Sequence, residues 1–177
     1  MTTIPSQNDP MTEQILKNRA QRLAEQTSKD NTYLTQTTVV EFRIAHEIYA
    51  LPLKRIRIVH PLKNLTFIPG TPDFIRGVIN LRGEIISVVD LKIFFDLPDQ
   101  EFTNLSQVII LTSDVMEFGI LADEILGVAE ISKNDIHPSL PTLTGIRADY
   151  LKGITENGIV VLDDEKLLTD KKMCINL

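Results

Sequence analysis

The sequence predicts a mainly β protein assembled from two related half-domains. Three observations carry that expectation. Composition is globular, with 43% hydrophobic and 24% charged residues among 177. The apolar residues are mostly branched aliphatics in strand-sized runs such as Val108–Leu111 and Ile159–Leu162, with no Trp. A block of strand, turn, strand and short helix occurs twice.

The chain opens differently from the rest. Asp9-Pro10 reads as a helix start, with Asp as cap and Pro in the first turn. Met11, Ile15, Leu16, Ala20, Leu23 and Ala24 follow at helical spacing, and Glu25 to Gln36 is polar. Residues 1–36 are therefore expected to form an N-terminal helix and a flexible linker. A lone short helix is marginal, so packing on its own domain or fraying is the expectation, not a tether for a partner. Residues 37–177 form the main domain, with halves at roughly 37–97 and 106–170.

Val40, Phe42 and Ile44 alternate with polar positions, His46-Glu47 interrupts them, and Ile48 to Leu53 resumes: a hairpin. Leu53, Ile56 and Val59 fall three apart, which predicts a helical turn at the strand's end. A Pro-bearing loop follows, then a second hairpin from Phe74–Ile79 and Glu84–Val89, turning at Asn80-Leu81-Arg82-Gly83. Asp90 is placed to cap a short helix over Leu91–Phe95.

The second half repeats this plan. Val108–Leu111 and Phe118–Ala122 form a hairpin through Ser113-Asp114. Tyr150-Leu151-Lys152-Gly153-Ile154 matches Phe74-Ile75-Arg76-Gly77-Val78 residue type by residue type. A turn glycine, an apolar strand, an aspartate (Asp90, Asp163) and a short helix follow in both copies. Each half holds about five short strands, enough for a small barrel.

Charge and motifs exclude several function classes. The net charge of -6 weighs against nucleic acid. It is uneven: residues 37–97 carry eight basic and six acidic groups, residues 98–177 six and fourteen. One cysteine, Cys174, permits no intrachain disulfide and suits a reducing, cytoplasmic setting. No signal peptide or membrane-length apolar run is read, so no direct membrane insertion is expected. His46, His60 and His137 lack metal-ligand spacing, and no nucleophile elbow or phosphate loop is present. No enzyme, metal or cofactor is expected. The aspartates at the strand-to-helix junctions read as caps, not as an acid/base pair. A rival reading as a small-ligand barrel has only a glycine-bearing turn behind it.

Two features look like binding surface. Arg82 occupies a hairpin tip and has no counterpart at Asn157-Gly158. An exposed Arg suits bidentate contact with a partner carboxylate. Lys54, Arg55 and Arg57, with His60 and Lys63, form a cationic stretch that suits an acidic partner.

The run from Phe74 to Leu91, centred on Asn80-Leu81-Arg82-Gly83, closely resembles the central motif of the CheW-like family of chemotaxis coupling proteins. Tyr49-Ala50-Leu51-Pro52-Leu53, Pro69, Pro72, Gly119–Asp123 and Tyr150–Gly153 support the resemblance, which covers about Val39 to Leu168. It implies two five-stranded SH3-like barrels around a shared core, and a scaffold without catalysis. It implies two partners, the cytoplasmic tip of methyl-accepting chemoreceptors and the regulatory domain of a CheA-type histidine kinase, at membrane-associated arrays. Other CheW-like domains, in rings, are further expected partners. Carried over by position, the receptor groove would use Ile56, Val59, Arg82 and Val108. One position departs: the family commonly has a glutamate two residues before His60, where this chain has Ile58. With the basic stretch and the extra N-terminal helix, that points to an accessory chemosensory cluster, such as one governing surface motility.

Overall fold

In this computed structural model, residues 36–97, 107–138 and 146–175 are described. The expected N-terminal helix and linker lie outside them, save Gln36, which begins β1. The first half supplies β1 (Gln36–Ile44), β2 (Glu47–Pro52), a 3-10 turn at Leu53–Arg55, β3 (Ile56–Pro61), β4 (Ile75–Leu81), β5 (Glu84–Val89) and helical turn α1 (Leu91–Phe94). The second supplies β6 (Gln107–Thr112), β7 (Glu117–Ala122), β8 (Glu124–Ser132), β9 (Ile136–His137), α2 (Ile146–Asp149), β10 (Leu151–Thr155), β11 (Val160–Leu162) and α3 (Asp164–Leu167). The fold is mainly β, as predicted, and has the architecture of two SH3-like barrels.

The strands form two sheets, ordered β8-β1-β2-β11-β10-β9 and β3-β6-β7-β5-β4. Neither sheet belongs to one half of the sequence. The β1–β2 hairpin of the first half lies parallel to β11 of the second, with Tyr49 opposite Val160. The β6–β7 hairpin of the second half lies parallel to β5 of the first, with Ile120 opposite Val89. The two halves thus exchange equivalent hairpins, and the chain crosses between sheets at β2→β3 and β7→β8.

The repeat survives down to single hydrogen bonds. Asp90 N–H donates to the Phe74 carbonyl oxygen at 2.7 Å, and Asp163 N–H to that of Tyr150 at 2.8 Å. The Asp90 carboxylate accepts from Lys92 N–H and the Asp163 carboxylate from Lys166 N–H, so both cap as expected. β4 carries a bulge between Ile75 and Gly77, and β10 one between Leu151 and Gly153. A Cβ on Gly77 would stand 2.1 Å from the Thr66 carbonyl oxygen, and one on Gly153 2.1 Å from that of His137. The matched glycines therefore admit a neighbouring backbone.

Period-two alternation sends side chains to opposite faces and divides the interior in three. Phe42, Tyr49, Leu51, Ile109, Leu111, Phe118, Ile120 and Leu162 point into a seam that both sheets share. Val108, Ile110 and Leu121 fill one barrel, and Val39, Ala50, Ile131 and Val161 the other. Among described residues the seam holds nineteen buried side chains, against seven and four in the barrels. At about 1.5–3 kcal/mol for each large buried side chain, the seam is the dominant hydrophobic term. Phe94, within the seam, meets Phe74 (4.9 Å) and Tyr150 (5.1 Å) edge-on. Those two rings open the two repeat copies.

Candidate functional site

β4 and β5 pair through Leu81 and Glu84, so Arg82-Gly83 alone makes the turn. Both residues have positive φ, +55° and +94°, as a type I′ turn requires. Asn80 Oδ1 accepts from Gly83 N–H at 2.8 Å and closes it. Arg82 is exposed at the tip. For a residue with a Cβ the left-handed region costs on the order of 1 kcal/mol. Asn or Gly at this position would remove that cost.

Ile56 and Val59 lie on strand β3, not on the predicted helical turn, which covers only Leu53–Arg55. The cause is a register shift between Ile56 and Ile58. The extra residue turns Ile56 and Val59 to one side, half-buried against the seam, while Ile58 packs with Leu62 and Leu65 on the barrel interior. A β-bulge thus produces a spacing of three that reads as helix. Val108 does not join the expected groove. Its exposure is 0%, and it packs so tightly over Gly119 that a Cβ there would meet its Cγ1 at 2.4 Å. A side chain without surface offers a partner no contact. On the exposed face of β8, Leu126 and Val128 stand 37% and 62% exposed between Glu124 and Glu130. β8 holds in the second half the place of β3 in the first. The Glu124-Leu126-Val128-Glu130 alternation is the signal in the sequence for this exposed apolar pair.

The basic stretch is largely engaged within the chain. Arg55 Nε donates to Asp164 Oδ2 at 3.0 Å, and Lys152 Nζ pairs with the other oxygen. Arg57 Nη1 reaches Glu84 at 2.6 Å and both oxygens of Glu117 at 2.8 Å. Lys54 is exposed. The predicted cationic patch therefore narrows, because the acids answering it lie far away in sequence.

Asp164 is 1% exposed. Burial pushes its carboxyl up, but hydrogen bonds from Lys152 and Arg55, with the Lys152 charge, outweigh that and hold it below the ordinary range. A folded pKa below the unfolded value gives stability present above the unfolded pKa, about 3.9, and lost as pH falls through the folded one. Asp164→Asn should therefore destabilise the protein at neutral pH and flatten the acid limb of stability. Urea midpoints measured from about pH 6 to about pH 2 check this; parallel wild-type and variant curves would refute it. Asp90 has the opposite sign. Burial raises its carboxyl, offset only in part by Lys92 and Arg76, so its contribution is lost as pH rises through the folded value.

Arg55 stands at one sheet crossover. At the other, Asp123 pairs with buried Lys92 of α1 at 2.7 Å and accepts from Ala45 N–H at 2.7 Å. Each crossover is thus held by an ion pair to a short helix, with the polarity reversed between copies.

Two of the clefts among the described residues have mixed polar and apolar walls. One, about 540 Å³, lies between the β6–β7 tip and the C-terminal segment, with Val115, Met116, Leu168 and Cys174 in its wall. Burial pushes the Cys174 thiol up, away from a reactive thiolate. The other, about 320 Å³, is edged by Glu41, Glu130, Asp135 and Glu156. Among the described residues no group of three His, Cys, Asp or Glu side chains could hold a metal, and no helix is long and apolar enough to cross a membrane.

A family model for the CheW-like domain matches residues 38–172. The chain is 28% identical over 145 residues to the chemotaxis protein CheW of Treponema pallidum, covering 78% of this chain and 85% of that one. It is 30% identical over 133 residues to Protein FrzA of Myxococcus xanthus, covering 72% and 82%. The crystal structure of the scaffolding protein TtCheW from Thermoanaerobacter tengcongensis superposes with a TM-score of 0.65 at 33% identity, over 71% of this chain and 88% of that one.

Proposed function

This chain belongs to the CheW-like family, and from that premise we propose that it is a non-catalytic cytoplasmic adaptor coupling chemoreceptor tips to a CheA-type histidine kinase. Arg82 is the observation that carries the reading. An arginine held at φ +55° on an exposed tip suits a role outside the fold, and its fork suits a carboxylate on a receptor helix. Half-buried Ile56 and Val59 on β3 supply an apolar surface for such a helix, and exposed Leu126 and Val128 on β8 supply another. Val108 is replaced in this role by the β8 pair.

The kinase side rests on charge. The cleft edged by Glu41, Glu130, Asp135 and Glu156 favours a basic surface. A homologous barrel on the kinase, or another CheW-like domain in a ring, could provide it. The accessory-pathway reading is supported by Ile58, a barrel-facing aliphatic where the family commonly has an acid, and by an identity to Protein FrzA comparable with that to a CheW.

The test is reconstitution. Receptor-bearing membranes, kinase and this chain are mixed, and kinase sedimentation and autophosphorylation are followed. Both should rise only when the chain is present. No change on adding it would end the coupling reading. Kinase affinity should fall as salt rises, because charges at the surface are screened. An affinity equal at low and high salt would remove the charge-based part.

A further inference from the structure

Arg57 was expected on a surface that meets a partner, and its geometry gives it other work. One nitrogen, Nη1, lies 2.6 Å from Glu84 Oε2 and 2.8 Å from each Glu117 oxygen. Those residues begin β5 and β7, so a side chain rooted on β3 spans β6 and grips two strand ends. Glu84 is the residue after the Arg82-Gly83 turn. β4, the other arm of that hairpin, is the last strand of its sheet. The Thr66 bridge supports β4 at Val78, well below the tip. Arg57 therefore supplies a lateral tie at the foot of the turn, from the strand that carries Ile56 and Val59.

We propose that Arg57 is a positioning residue: through Glu84 and Glu117 it fixes the Arg82 turn relative to β3, so that arginine and apolar surface meet a receptor helix in one geometry. The inference rests on the reading of Arg82 as a receptor contact. The guanidinium already serves two carboxylates, and the hydrogen bonds it donates to Glu117 and then Glu84 hold its proton more firmly than usual.

A double-mutant cycle on the full chain tests this, with binding to a purified chemoreceptor cytoplasmic fragment and amide exchange at Arg82-Gly83 as readouts. Arg57→Gln should weaken binding by roughly fivefold and speed exchange at the turn. Glu84→Ala should do the same more mildly, and the double variant should be no worse than Arg57→Gln alone. Additive losses, or weaker binding with unchanged exchange, would show that Arg57 touches the partner and overturn the proposal. Unchanged binding and exchange in Arg57→Gln would overturn it equally. Arg82→Glu is the control for the underlying reading. If it binds as wild type, Arg82 is not the contact, while faster turn exchange in Arg57→Gln would still establish the tie.

Discussion

Gly77→Ala should be among the most damaging single-methyl changes in this protein, lowering stability by at least about 3 kcal/mol. Two penalties coincide. The backbone sits at φ +139°, and the new Cβ would stand 2.1 Å from the Thr66 carbonyl oxygen, 2.8 Å from its carbon and 3.1 Å from the Phe67 Cα. All three are backbone atoms, so no rotamer change relieves the clash. Val78 and Thr66 exchange two hydrogen bonds of 2.8 Å there, and retreat would break both. The melting temperature should fall on the order of 10 °C. Gly153→Ala should behave alike, because the His137 carbonyl oxygen occupies the matching place. Gly70→Ala is the control: φ is +83° but nothing lies within 4 Å, so only the conformational cost of about 1 kcal/mol applies. Equal losses at Gly70 and Gly77 would disprove the close-approach account.

Arg82→Asn should separate stability from function. Asn accepts the left-handed region and favours the first position of a type I′ turn, so stability should rise by about 0.5–1 kcal/mol. Receptor-fragment binding should fall at least tenfold, on the order of one charge-assisted bidentate contact. Arg82→Lys keeps the charge without the fork and should fall between. Calorimetry and a binding titration on the same preparations decide the matter. A more stable variant that binds as wild type would remove Arg82 from the contact surface. A less stable one would show that the turn is not strained by its arginine.

What could be read from the sequence was whatever chemistry is local. Asp90 and Asp163 were legible as caps because a cap depends on neighbours two or three residues away. The repeat exposed Gly77 and Gly153 as a matched pair, but not their reason, since Thr66 and His137 belong to other strands. Ile56 and Val59 were misread as helical because a bulge imitates helical spacing. Val108 was misplaced although its own surroundings argued otherwise: an unbroken apolar run marks a strand buried on both faces. Arg55 and Arg57 looked free because their acids lie 109 and 60 positions away. The hairpin exchange left no trace at all. Swapping equivalent hairpins preserves every local pattern, and only long-range pairing tells the arrangements apart.

That exchange makes the protein indivisible. During synthesis, β3 and β5 emerge without the two strands that belong between them, and β1–β2 emerges as a hairpin without its neighbour β11. The five-stranded sheet closes only once Ala122 has left the ribosome, and the six-stranded sheet only after Leu162. Until then each half displays open edges shaped for the other, and any second chain present displays the same ones. Such edges invite entanglement between nascent neighbours. The opposite polarity of Arg55–Asp164 and Lys92–Asp123 gives each hairpin one acceptable seat, a label that distinguishes the two halves while both are still searching.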